Sequence, residues 1–160
     1  MNTEDINSVC DYIIQRVGHA HAALNLLKLQ KLLYYSQAWH LAFHGTPLFN
    51  GKFQAWVHGP VSRQIYDRFR SSKSLYSDVN LSDVSNDFAP KSISPGARAH
   101  VDAVLEVYMK YTGTQLEDMT HQEEPWRAAR FGLPDSAACD RDIDEKLMQT
   151  FYAARLNQGN

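Results

Sequence analysis

The stretch "LNLLKLQKLLYYSQAWHLAFH", residues 24 to 44, decides the architecture. On a helix advancing about 100° per residue, its apolar side chains point nearly all the way round the axis, with polar positions scattered singly between them. A helix of that kind is stable only when covered on most sides, so the sequence predicts a central helix around which the other elements pack. Lys28, Gln30, Lys31, Gln37 and His40 interrupt the apolar run, which excludes a membrane span. Gly45 supplies the C-terminal stop, and Pro47 follows two residues later.

Working outward toward the N-terminus, Thr3 is predicted to cap a helix whose first turn carries Glu4 and Asp5. Ile6, Val9, Cys10, Ile13 and Val17 form its apolar stripe, and Gly18 ends it. On the other side, Asn50-Gly51 between aromatic-rich runs predicts a hairpin turn within "PLFNGKFQAWVHG". Gly59-Pro60 predicts the opening of a third helix, with Val61, Ile65 and Phe69 as its buried stripe. Serine, aspartate and asparagine then dominate a surface loop at about 71–93.

Ser94-Pro95 restarts helix, with Val101, Val104, Leu105, Tyr108 and Tyr111 facing the core and Gly113 as terminator. Thr114 to Glu117 reads as a capping box for a short helix. Pro125 starts another around Trp126, ended by Gly132. Asp140 to Arg155 closes the chain as a helix burying Ile143, Leu147 and Phe151. The expected fold is mostly α: a single compact helical domain around a buried central helix, with one small β-hairpin.

Composition narrows the function classes. The chain has 160 residues, 44% hydrophobic and 21% charged, with a formal net charge of −2. That balance argues against a generic nucleic-acid binder, which carries a strong basic excess. Two cysteines, Cys10 and Cys139, give neither a disulfide framework nor a thiolate zinc motif. The acidic, polar N-terminus lacks the basic and apolar regions of a signal peptide, so the expected location is the cytoplasm.

Candidate chemistry is sparse. His40 and His44 share a helix face at the spacing zinc hydrolases use, but Leu41 stands where those enzymes carry glutamate, and no third ligand follows at a recognisable spacing. His121, followed by Glu123 and Glu124, is read as a helix-to-helix junction, with a carboxylate-oriented imidazole as the functional alternative. The chain has no GxSxG elbow, no P-loop and no GxGxxG. Arg63, Arg68, Arg70 and Lys73, interleaved with Tyr66, keep a nucleic-acid surface open, although an acidic loop follows them.

The segment from Lys28 to Phe69 resembles the Panacea antitoxin domain, the SocA-like or GepA-like family. The resemblance lies in a K-L-Q-K-L-L-Y helix, Trp39 one turn later, Gly45 with Leu48 and Phe49, and then Ala55, Trp56, Gly59, Pro60, Val61, Tyr66 and Phe69. A second block is similar through Thr120, His121, Pro125 and Trp126. The resemblance implies a bacterial or phage-associated antitoxin, without catalytic residues or cofactor. Its partner would be a protein toxin encoded nearby, neutralised by direct binding. Alternatives are an adaptor delivering the toxin to an ATP-dependent protease, or a DNA-binding regulator.

Trp39, Trp56, Gly59, Pro60, Val61 and Pro125 are expected to be structural, with the Trp56 indole N–H bonded to His58 or a backbone carbonyl. Arg63, Tyr66 and Arg70, with His121 and Trp126 nearby, are the expected partner-binding residues, because Tyr and Arg are favoured anchors of interfaces.

Overall fold

A computed structural model describes residues 3–158. Among these, seven α-helices and one antiparallel pair of strands follow in the order α1 (Ile6–His19), α2 (Leu26–His44), β1 (Phe53–Trp56), β2 (Gly59–Ser62), α3 (Arg63–Phe69), α4 (Pro95–Tyr108), α5 (Gly113–His121), α6 (Glu124–Ala129) and α7 (Glu145–Gln158). Helix α2 is the central element, in contact with α1, α4, α5, α7 and β2. Fifteen of its residues are buried, including Lys28, Gln30, Lys31 and Gln37. Asn25 caps its start by accepting from the Lys28 amide at 2.8 Å, and Gly45 closes its end by donating to Leu41 O at 2.9 Å.

Several local expectations are corrected, most of them where distant groups compete for backbone hydrogen bonds. Asp5, rather than Thr3, caps α1, because Glu4 is drawn into a bridge with Phe49. The helix passes Gly18 and ends at His19. Asn50-Gly51 is not the hairpin turn. Leu48 and Phe49 cannot pair with β1 because the Gln37 side chain takes their amides at 2.8 and 3.3 Å and the Phe49 carbonyl at 2.8 Å. The hairpin instead turns at Val57-His58 and pairs Phe53 with Ser62 and Trp56 with Gly59.

Gly59-Pro60 therefore belongs to a strand, and α3 begins at Arg63 behind a Ser62 cap. Pro60 is tolerated there because its partner Ala55 sends its N–H the other way, to Arg141 O at 2.9 Å. Residues 141–143 line the outer edge of β1, with Ile143 N donating to Phe53 O at 2.7 Å, so the last helix starts at Glu145 rather than Asp140. It buries Met148 and Tyr152, and Leu147 and Phe151 are only half-covered. Gly113 is the first residue of α5, and the capping box is Thr112 with Gln115.

The 71–93 segment lacks α-helix but is tied down. Leu75 and Ser77 carbonyls accept from Leu27 and Leu26 at 2.9 and 3.1 Å, satisfying the unpaired amides at the start of α2. Arg68 reaches from α3 to Asp11, Asn7 and the Asp83 carbonyl, clamping the loop to α1. Among the described residues no helix is long and apolar enough to cross a membrane.

Candidate functional site

The two stretches that make the sequence distinctive, "KLQK" and "GPVS", meet in space. Gln30 on α2 acts as a strand edge toward β2, accepting from Ser62 N at 2.8 Å and donating to Ser62 O at 3.1 Å. Its neighbour Lys31 is fully buried, and its ammonium donates to Pro60 O at 3.2 Å. Desolvation pushes the Lys31 pKa down to about 7, opposed by the field of Glu117. Gly59 faces this lysine with φ +102, and a Cβ there would lie 2.5 Å from Lys31 Cε and 2.9 Å from Thr120 Oγ1. A buried lysine thus occupies the space a side chain at position 59 would need, and Pro60 offers it a carbonyl.

The second block backs the same hairpin. Trp126 is 2% exposed and donates its indole N–H to Trp56 O at 2.8 Å. His121 stacks on one face of it at 4.0 Å, and the Arg130 guanidinium lies 4.8 Å from its ring. Arg130 in turn donates to Ala55 O at 2.7 Å and to Pro134 O at 3.1 Å. His121 is half-buried, its Nε2 has no hydrogen-bond partner among the described residues, and burial pushes its pKa down. Trp126 therefore supports the Trp56 strand from behind rather than reaching the surface.

Trp56 is half-exposed, and its N–H donates to Gln54 Oε1 at 2.7 Å instead of the expected His58 or backbone carbonyl. His58 pairs with Glu117 at 3.1 Å. Trp56 meets Tyr66 edge to face at 4.9 Å, and the Arg63 guanidinium sits over both rings, 6.0 and 5.5 Å from their centroids. Beside them opens a groove of about 830 Å³ lined by Trp56, Val61, Tyr66, Arg70, Leu75 and Cys139, among others. Arg63, Tyr66 and Arg70 thus share one exposed face, while His121 and Trp126 lie beneath its hairpin.

The basic strip considered for nucleic acid is largely used internally. Arg68 pairs with buried Asp11, and Lys73 pairs with Asp83 at 3.2 Å and donates to Asp78 O at 2.7 Å. Sequence reasoning also missed a second buried cluster. Glu123 accepts from Tyr35 at 2.8 Å, Tyr152 at 2.7 Å and Arg155 at 3.0 Å, and burial still raises its pKa. The E-P-W pattern gave no hint of it, because its partners lie on α2 and α7. Trp39 is held by donating to Tyr108 Oη at 2.8 Å.

A third histidine, His100 on α4, joins His40 and His44, with ring centroids 5.0 Å from His40 and 6.1 Å from His44. His40 and His100 each commit one nitrogen to a carbonyl, Thr46 O at 2.6 Å and Ser36 O at 2.9 Å. No His, Cys, Asp or Glu group among the described residues is arranged to hold a metal. Burial depresses the pKa of both His40 and His100 below the usual 6.5. The unfolded chain then binds protons first as pH falls, so their contribution to stability is complete above pH 6.5 and lost below it. The melting temperature should therefore fall from pH 7.5 to 5.5 more steeply in the wild type than in a His40→Gln/His100→Gln variant. Comparing the two slopes cancels the opposing contribution of Glu123.

Among curated proteins, Antitoxin SocA of Caulobacter vibrioides (strain NA1000 / CB15N) is 33% identical to this chain over 72 residues. The match covers 45% of the chain and 38% of that relative. No solved structure matches the chain. The family model described as "Antitoxin SocA-like, Panacea domain" matches residues 29–127, which contain Gln30, Lys31, the hairpin, α3 and Trp126. The two interlocking halves of this scaffold thus fall inside one family pattern, and the chain belongs to the SocA-like antitoxins of the Panacea domain family.

Proposed function

We propose that this chain is an antitoxin that neutralises a cognate protein toxin, encoded nearby, by binding it directly. The observation that carries the reading is the exposed face of Arg63, Tyr66 and Arg70 beside an open groove, mounted on a scaffold in which Gln30, Lys31 and Trp126 are occupied internally. Tyr and Arg bury large area and make oriented hydrogen bonds at modest entropic cost, which suits them as anchors. His121 and Trp126 serve this face by holding the hairpin. The reading asks for no catalytic residue and no cofactor, in keeping with a family of antitoxins.

The test is co-expression with the neighbouring gene. The wild type should restore growth and co-purify with the gene product. A folded Arg63→Ala/Tyr66→Ala/Arg70→Ala variant should lose rescue and weaken affinity at least about tenfold, the usual scale of an interface hot spot. Unchanged neutralisation by that variant would move the interface elsewhere. Rescue only while an ATP-dependent protease is active, with toxin levels falling, would instead favour delivery. Salt-sensitive binding to the chain's own promoter would favour a regulator.

A further inference from the structure

Resting on that direct-binding reading, we propose that the groove beside α3 recognises a toxin segment of acidic and apolar character. An aliphatic or aromatic side chain would seat against Trp56, Val61 and Leu75, and a neighbouring Asp or Glu would accept from Arg70 and Arg63. The floor and walls supply the first half of this assignment. Leu26, Val61 and Leu75 line the groove, and the Trp56–Tyr66 pair forms its aromatic wall. That wall is held in place: Gln54 fixes the Trp56 indole N–H, and Trp126 fixes the Trp56 carbonyl. A preorganised aromatic wall gains affinity because little side-chain freedom remains to be lost on binding.

The charges supply the second half. Arg63 and Arg70 both approach the single carboxylate of Asp67, at 3.5 and 3.8 Å, and both side chains are more than half exposed. Each guanidinium carries five N–H donors, so one shared carboxylate at those lengths leaves most of them for an incoming acceptor. The other basic side chains near the groove already have partners, Lys73 in Asp83 and His58 in Glu117. Asp140 also lines the groove. A polyanion running along the groove would set several charges against this carboxylate, whereas an apolar segment with one carboxylate brings only one. The pattern therefore fits an acidic, apolar peptide rather than a nucleic-acid backbone.

Cys139 provides a direct readout. It lines the groove and is half-exposed, while Cys10 is fully buried and stays silent toward alkylating reagents. The purified chain would be mixed with the product of the neighbouring gene, and iodoacetamide labelling of Cys139 followed by mass spectrometry. Binding should slow labelling at least tenfold. Arg63→Glu/Arg70→Glu should weaken the Kd at least thirtyfold with an unchanged melting curve. Carbodiimide treatment of a complex made with Arg70→Lys should couple the new amine to an Asp or Glu of the toxin that has an apolar residue within three positions, a product distinct from coupling to the chain's own Asp67.

If the neighbouring product does not bind the wild type, the direct-binding reading fails and this proposal falls with it. A complex that leaves Cys139 unprotected, tolerates the charge reversal, or couples to no such carboxylate overturns the proposal while the antitoxin reading stands. Displacement of the toxin by a single-stranded oligonucleotide probe would overturn it as well.

Discussion

Gly59→Ala should abolish accumulation of the folded protein, or destabilise it by about 3–5 kcal/mol where enough survives to be measured. Two costs coincide at this position. The backbone sits at φ +102, a conformation that L side chains adopt only with strain of about 1–3 kcal/mol. The added methyl would also lie 2.5 Å from Lys31 Cε and 2.9 Å from Thr120 Oγ1. Lys31 cannot swing aside, since it is fully buried and its ammonium is held by Pro60 O. Gly51→Ala is the control. It has φ +133 and nothing within 4 Å of where the added methyl would sit, so it carries the strain alone. Urea denaturation of both variants separates the two effects, and equal losses would show that the contact with Lys31 contributes nothing.

Lys31→Met should move stability in the opposite direction. In the unfolded chain the amine is charged below pH 10.5, whereas burial brings the folded pKa down to about 7. Across that window the unfolded state binds more protons, so the wild type becomes more stable as pH rises from about 7 toward 10.5. At neutral pH the protein bears nearly the whole cost of stripping the proton, on the order of 3–5 kcal/mol at about 1.36 kcal/mol per pKa unit. Methionine fills similar space without that cost and gives up one hydrogen bond to Pro60 O, worth about 1–3 kcal/mol once the carbonyl is left unpaired. The net expectation is a higher melting temperature at pH 7 and a flatter dependence between pH 7 and 9. A variant that melts lower, with the same pH slope as the wild type, would mean that Lys31 is not the titrating group. Because Lys31 and Gly59 touch, their substitutions should not be additive.

Both predictions concern residues that sequence patterns marked without explaining. Gly59-Pro60 carried the signal of a strand-to-helix corner, and α3 does follow it, but three residues later than the proline suggested. Proline preference for the first helical turn is local, whereas Gln30 reaches across from α2 to hold Ser62 in a strand. The Asn50-Gly51 turn failed for the same kind of reason, through Gln37. Trp126 was placed near the partner-binding Arg63, Tyr66 and Arg70; it is buried and donates its indole N–H to the Trp56 carbonyl, a contact between residues 70 positions apart that no local pattern announces.

The sequence by itself determined the helical architecture and its centre, because a stretch apolar on nearly every face can be satisfied only by burial on most sides, and that requirement is local to residues 24 to 44. It determined the family as well, since "KLQKLLYY" and "WVHGPV" are readable as strings. Only the tertiary structure decided where the strands run, which cations are free and which residues share a face. Those depend on side chains far apart in the chain competing for the same backbone groups and carboxylates. Arg68 and Arg70 look alike in sequence, and the fold commits one to buried Asp11 and leaves the other at the groove.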